Sequence, residues 1–223
     1  MKMKLPKLVS EIKKFFLQDN NIIGSYERVV KINNRFLKKK ENFNGMIAGS
    51  WAIEAVSGHK IEHDDIDLII FSDLCFYIDD AITNEEHCCN VIPLPIHYLK
   101  EKAVKTNLRG ELEVYVPDLT LQYCLKIIGQ LEKEFPEKAV VQSVDLFSAY
   151  KNPNYKEIKN EIIFILKRCT PADFNVKNVA KDMIFAIKSY KLKDFESMKV
   201  YLKKAHRKIN DSLHKKFKEL RLE

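Results

Sequence analysis

Between Gly45 and Phe71 the chain sets a short apolar run, Gly45-Met46-Ile47-Ala48-Gly49, ahead of a helix-suited segment, Ser50 to Val56, and then a second apolar run, Ile66 to Phe71. The second run opens on three carboxylates, Asp64, Asp65 and Asp67. This strand, turn, helix, strand order admits few folds, because Ser50 can cap the helix and the apolar runs are short enough to be buried strands. In a strand, alternate residues share a face, so Asp65 and Asp67 are expected to project together, about 7 Å apart along the chain. Two neighbouring carboxylates repel, and a divalent cation bound through oxygen offsets that repulsion. The Gly49-Ser50 turn, at a helix start, offers backbone N–H groups and a hydroxyl to a phosphate. The two features together read as a phosphate cradle beside a metal site.

The flanking sequence is mostly helical. Leu5, Val9, Ile12 and Phe16 mark an amphipathic first helix, and 26–40 a second. Further β-rich runs are expected at 88–98 and 111–116. After Pro117 and Asp118, helices are expected at 119–133, 138–150, 155–168 and 176–190. A long final helix carries Phe195, Met198, Leu202, Ala205, Ile209, Leu213, Phe217 and Leu220 on one stripe. Lys-Asn-Pro-Asn at 151–154 is the expected boundary between a domain over 1–150 and a helical domain over 151–223.

Charge divides along the same line. Residues 1–150 carry 19 Lys+Arg against 22 Asp+Glu, whereas residues 151–223 carry 19 against 9. The carboxyl-terminal third is thus either a polyanion-binding block or a solvated set of helical faces. No apolar run approaches the ~20 residues of a membrane-spanning helix, and charges interrupt the amino-terminal segment where a signal peptide needs an apolar core. A cytoplasmic protein without membrane contact is the expectation. Five cysteines without paired CxxC spacing are expected to be buried thiols.

The segment GSWAIEAVSGHKIEHDDIDLII resembles the nucleotidyltransferase superfamily that includes DNA polymerase beta, and within it the aminoglycoside and lincosamide nucleotidyltransferases, whose stretch has the form G-G-W-A-I-D, a Gly, then H-x-D-I-D. The helix from Leu119 to Leu131 with Lys126, and Ser143-Val144-Asp145-Leu146, loosely resemble nucleotidyltransferases of abortive-infection toxins. The resemblance implies an α/β (α+β) fold, a small mixed sheet followed by a basic helical bundle. It implies transfer of a nucleoside monophosphate from a nucleoside triphosphate to an acceptor hydroxyl, with pyrophosphate released. Asp65 and Asp67 would hold Mg²⁺, and Gly49 and Ser50 would grip the β and γ phosphates.

The family also supplies a third carboxylate from a later strand, as metal ligand or base. By analogy with a D-[IV]-x-P-[IL] segment it would fall at Asn90, which cannot serve as that base. Glu113, sharing a strand face with Glu111, is the expected replacement, and a catalytically impaired protein that binds nucleotide or a partner is the alternative. Lys126 reads either as a triphosphate contact or as a solvent-facing lysine. His59 and His63 read as surface residues or partners of Asp64 ahead of metal ligands, and Trp51 as core ahead of a ring that stacks on a base. The acceptor is expected to be a small hydroxylated molecule or RNA.

Overall fold

The computed structural model describes residues 6–19, 21–38, 43–79, 89–130, 153–172 and 174–220. They divide into two units, one running to Asp118 and the other spanning Leu119–Glu219. The division falls at the start of the helix after Pro117 and not at 151–154. That helix therefore belongs to the second unit.

In the first unit, α1 (Lys7–Gln18) buries Val9 and Ile12, and α2 (Tyr26–Ile32) buries Val29 and Ile32. Ser25 caps α2, its hydroxyl accepting the Arg28 N–H at 3.3 Å. A single π-helical turn, Asn33–Leu37, ends the expected 26–40 helix early. Between the helices Gly24 has φ +73°, and a Cβ there would lie 2.7 Å from the His63 carbonyl oxygen and 2.9 Å from the Asp65 nitrogen. Only glycine lets this loop pack against the backbone leading into the carboxylates.

Four strands follow, β1 (Gly45–Ile47), β2 (Asp67–Phe71), β3 (Cys75–Asp79) and β4 (Cys89–Ile92), hydrogen-bonded in that order with every neighbour antiparallel. The expected mixed sheet is thus an antiparallel one, in an α+β fold. Helix α3 (Gly49–Ser57) links β1 to β2, and every residue of β2 is buried, as a strand covered on both faces requires. The core gathers Val9, Ile12, Val29 and Ile32 with Trp51, Leu68, Ile70, Phe76 and Ile78. Each such side chain contributes about 1.5–3 kcal/mol of transfer free energy.

The run expected to be β-rich at 88–98 yields only β4 before helix α4 (Ile96–Glu101) takes over. A separate two-stranded sheet pairs β5 (Ala103–Leu108) with β6 (Leu112–Pro117).

The second unit is helical, with α5 (Leu119–Gln130), α6 (Tyr155–Cys169), α7 (Val176–Lys191) and α8 (Phe195–Leu220). Asn154 and Asn175 cap α6 and α7, accepting the Glu157 and Asn178 N–H groups at 3.2 and 3.4 Å. Of the stripes expected from spacing, Ile158, Ile162 and Ile165 on α6 and Met198, Leu202, Ala205 and Ile209 on α8 are buried, whereas Phe195 at the start of α8 is exposed and the side chains of Leu213, Phe217 and Leu220 lie outside the description. The helix expected at 138–150 lies outside the described residues. Cys75, Cys124 and Cys169 are buried, and no helix among the described residues is long and apolar enough to cross a membrane.

Candidate metal and phosphate site

Three carboxylates converge at one end of the β2–β3 hairpin. Asp67 is the first residue of β2 and lies directly opposite Asp79, the last of β3, in the antiparallel register. Asp65 precedes the strand, since β2 begins two residues later, and fully buried Ile66 anchors the step between them. One oxygen from each of Asp65, Asp67 and Asp79 lies within 4.8 Å of the others, close enough to ligate one ion. An all-oxygen set of this kind suits a hard divalent cation.

Asp67 is only 7% exposed. The Tyr77 hydroxyl, two residues before Asp79 on β3, donates to Asp67 Oδ1. Burial pushes the Tyr77 hydroxyl well above its usual range, and the Asp67 charge beside it pushes further. Tyr77 therefore stays a proton donor and holds the carboxylate in place.

The expected third acid, Glu113, lies elsewhere. It sits on β6 opposite Asn107 and pairs with Lys105 at 2.8 Å and Lys38 at 3.3 Å. Hydrogen bonding to Lys105 lowers its pKa, as an ion-paired surface carboxylate requires. Asn90 is on β4, in register with Tyr77, so β3 separates it from β2. Lys126 is on α5 of the second unit, half-buried.

The Gly49-Ser50 turn meets the carboxylates by direct contact. Gly49 has φ +59°, and a Cβ built on it would overlap the Asp67 carboxylate, while the Ala48 N–H donates to the Asp67 carbonyl at 2.8 Å. The first turn of α3 therefore approaches the Asp67 carboxylate as closely as backbone can. Gly58 supplies a control, since it has φ +72° but open space where a Cβ would stand. Gly58→Ala should cost only the left-handed strain, about 1–2 kcal/mol. Gly49→Ala, which adds a clash to the same strain, should cost at least twice that and displace Asp67; urea midpoints with and without Mg²⁺ separate the two effects.

Behind the turn runs a buried polar chain. Ser50 Oγ lies 2.8 Å from His63 Nδ1, and His63 Nε2 lies 2.7 Å from Glu54 Oε2. Glu54 also accepts from the Ile61 N–H at 2.8 Å and from Arg109 Nε at 2.6 Å. The His63 and Glu54 side chains are each 3% exposed. The His63 ring stacks on Trp51, centroids 3.5 Å apart, and the Arg109 guanidinium lies over the Trp51 and Tyr26 rings at 4.9 and 4.7 Å.

Burial alone would push Glu54 up, but its hydrogen bonds to Arg109, Ile61 and His63 prevail and hold it at about 2. Burial pushes His63 below its usual range, against the opposing pull of Glu54. The neutral ring donates Nε2–H to the carboxylate and accepts the Ser50 hydroxyl at Nδ1. His63 is thus an interior residue and not a surface one, while Trp51 is core as expected.

Sequence reading passed over Glu54, Arg109 and Asp79. For Glu54 a signal existed in its i, i+4 spacing from Ser50, which puts both on one face of α3. Arg109, in the turn between β5 and β6, offers none. Comparison of the chain with protein-family models, with curated proteins and with solved structures finds no match in any of the three.

Proposed function

We propose that the chain is a Mg²⁺-dependent nucleotidyltransferase that moves a nucleoside monophosphate from a nucleoside triphosphate to an acceptor hydroxyl and releases pyrophosphate. The observation that carries this reading is the contact between the Gly49 turn and Asp67 within the Asp65, Asp67 and Asp79 cluster. It puts a helix amino terminus, which favours phosphate, against carboxylates that favour a cation. A triphosphate bound as its metal complex needs both at once.

Asp65, Asp67 and Asp79 hold the metal in this reading, with Asp79 in the part expected of Glu113. A divalent cation held there would supply charge compensation for the triphosphate and its pyrophosphate leaving group. The N–H groups opening α3 face the phosphates, and Tyr77 keeps Asp67 oriented. Asp79, half-buried at the strand end, is the carboxylate able to take the acceptor's proton. The alternative, a catalytically impaired protein, is motivated by a missing third acid, and the place of Asp79 in the cluster supports the active reading over it. The acceptor is a hydroxyl of a small molecule or of RNA.

Calorimetric titration of a non-hydrolysable triphosphate should give binding with Mg²⁺ and little without it. Asp65→Asn and Asp67→Asn should each abolish the Mg²⁺-dependent part. Equal binding by wild type in Mg²⁺ and in EDTA would overturn the assignment.

A further inference from the structure

The second unit carries a surface that the metal site does not account for. On α7, Lys177, Lys181, Phe185 and Lys188 recur at i, i+4, i+8 and i+11 and are all exposed, so one outward stripe holds three ammonium groups and a phenyl ring. The one carboxylate of that helix, Asp182, is turned inward and pairs with Lys208 of α8 at 2.5 Å. On α8 no carboxylate occurs between Glu196 and Asp211, a stretch that holds Lys199, Lys203, Lys204, Arg207 and Lys208. No ion pair among the described residues involves Lys177, Lys181 or Lys204.

The aromatic residues are arranged with the charges. Phe185 stacks on Tyr201 of α8, ring centroids 5.1 Å apart and planes inclined by 25°. The Lys181 ammonium lies 5.8 Å from the Phe185 centroid and the Lys204 ammonium 5.2 Å from that of Tyr201. Two cations thus flank one aromatic pair, and Phe185 remains 37% exposed. A phenyl ring set among lysines on an outward stripe does little for the core, since the buried face of α7 is already filled by Val179, Met183 and Ile187. It is well placed to meet a planar ligand that arrives with negative charge.

We propose that this α7–α8 face binds single-stranded nucleic acid, its phosphates on Lys177, Lys181 and Lys204 and a base against the Phe185–Tyr201 pair. Cationic side chains that track a backbone, combined with aromatic faces that take bases regardless of sequence, are the means by which single strands are held. A solvated helical face needs the lysines but not the exposed ring, and a sulfated or lipid polyanion has no base to stack. The inference stands apart from the nucleotidyltransferase reading, because no residue of the metal site enters it.

The test uses the full chain and a fluorescein-labelled 15-residue oligouridylate, read by anisotropy. Wild type should bind at about 50 mM salt and lose affinity steeply by about 200 mM, as counterion release demands. Lys181→Glu with Lys204→Glu should weaken binding about tenfold or more. Phe185→Leu with Tyr201→Leu, which keeps apolar bulk and is checked for an unchanged circular dichroism spectrum, should weaken it about fivefold or more. The leucine pair should leave heparin binding unchanged, because heparin offers charge without bases. No binding by wild type at low salt, binding indifferent to the lysine pair, or leucine substitutions without effect on the oligonucleotide would each overturn the proposal.

Discussion

If the chain carries out the proposed nucleotidyl transfer, Asp79→Asn should lower it by about a hundredfold to a thousandfold, the scale on which removing one charge-stabilising group from an active site is felt. Glu113→Gln should leave it within about twofold, since that carboxylate is occupied by Lys105 and Lys38. Stability should move the other way. Asp67 and Asp79 face each other across the hairpin as like charges, an arrangement that costs up to about 1 kcal/mol without a cation. In EDTA, Asp79→Asn should therefore melt no lower than wild type, and should melt higher where the repulsion dominates. In Mg²⁺ the order should reverse, because the wild type alone keeps the complete ligand set. Thermal melts with and without Mg²⁺, set beside transfer rates, check both signs. An Asp79→Asn protein with wild-type activity would remove Asp79 from the site.

Arg109→Ala should destabilise the fold by about 3–5 kcal/mol, because it leaves Glu54 buried without its cation. Adding Glu54→Gln to it should recover part of the loss, since the double variant has no uncompensated charge. The pH dependence follows from the direction of the Glu54 shift. Its folded-state pKa, about 2, lies below the ordinary carboxylate value of 4.5. Its contribution to stability is thus fully present above about pH 4.5 and is lost as the pH falls toward 2, worth about 3 kcal/mol in all. Urea unfolding of wild type should show this acid-side decline, and Arg109→Ala should show a much shallower one. Equal slopes in the two proteins would mean that Arg109 is not what holds Glu54 ionised.

The helices of the second unit were open to reading because each is long enough for its 3.6-residue period to repeat, unlike the short α4 inside a run expected to be β-rich. Expected spans of 155–168 and 176–190 stand beside Tyr155–Cys169 and Val176–Lys191. The strands were less so, since β3 and β5 went unread, and the site turned on β3. Cys75-Phe76-Tyr77-Ile78 is a β-rich run, and Ser72-Asp73 ahead of it is a turn signal. Its flanking acids, Asp73 and Asp79-Asp80, nonetheless give the stretch the look of a polar loop. Without β3 there is no strand to set Asp79 opposite Asp67, and Glu113 is left as the carboxylate on a legible later strand. Asp65, Asp67, Gly49 and Ser50 were found because a local pattern carries them. The Glu54–Arg109 pair joins residues 55 positions apart, and only the folded chain brings them into contact.

The β2–β3 hairpin also bears on the order in which this region assembles. Its turn, Ser72 to Leu74, is tight, and pairing runs outward from Phe71 with Cys75 to Asp67 with Asp79. Contacts this close in sequence close on the microsecond scale, well ahead of pairings that must wait for distant chain. Zipped from the turn, the hairpin joins its apolar rungs first and its two carboxylates last, at the open end where fraying begins. An ion bridging those carboxylates, as the proposed function requires, would clasp the open end of the hairpin, so its arrival would finish the hairpin as well as fill the site.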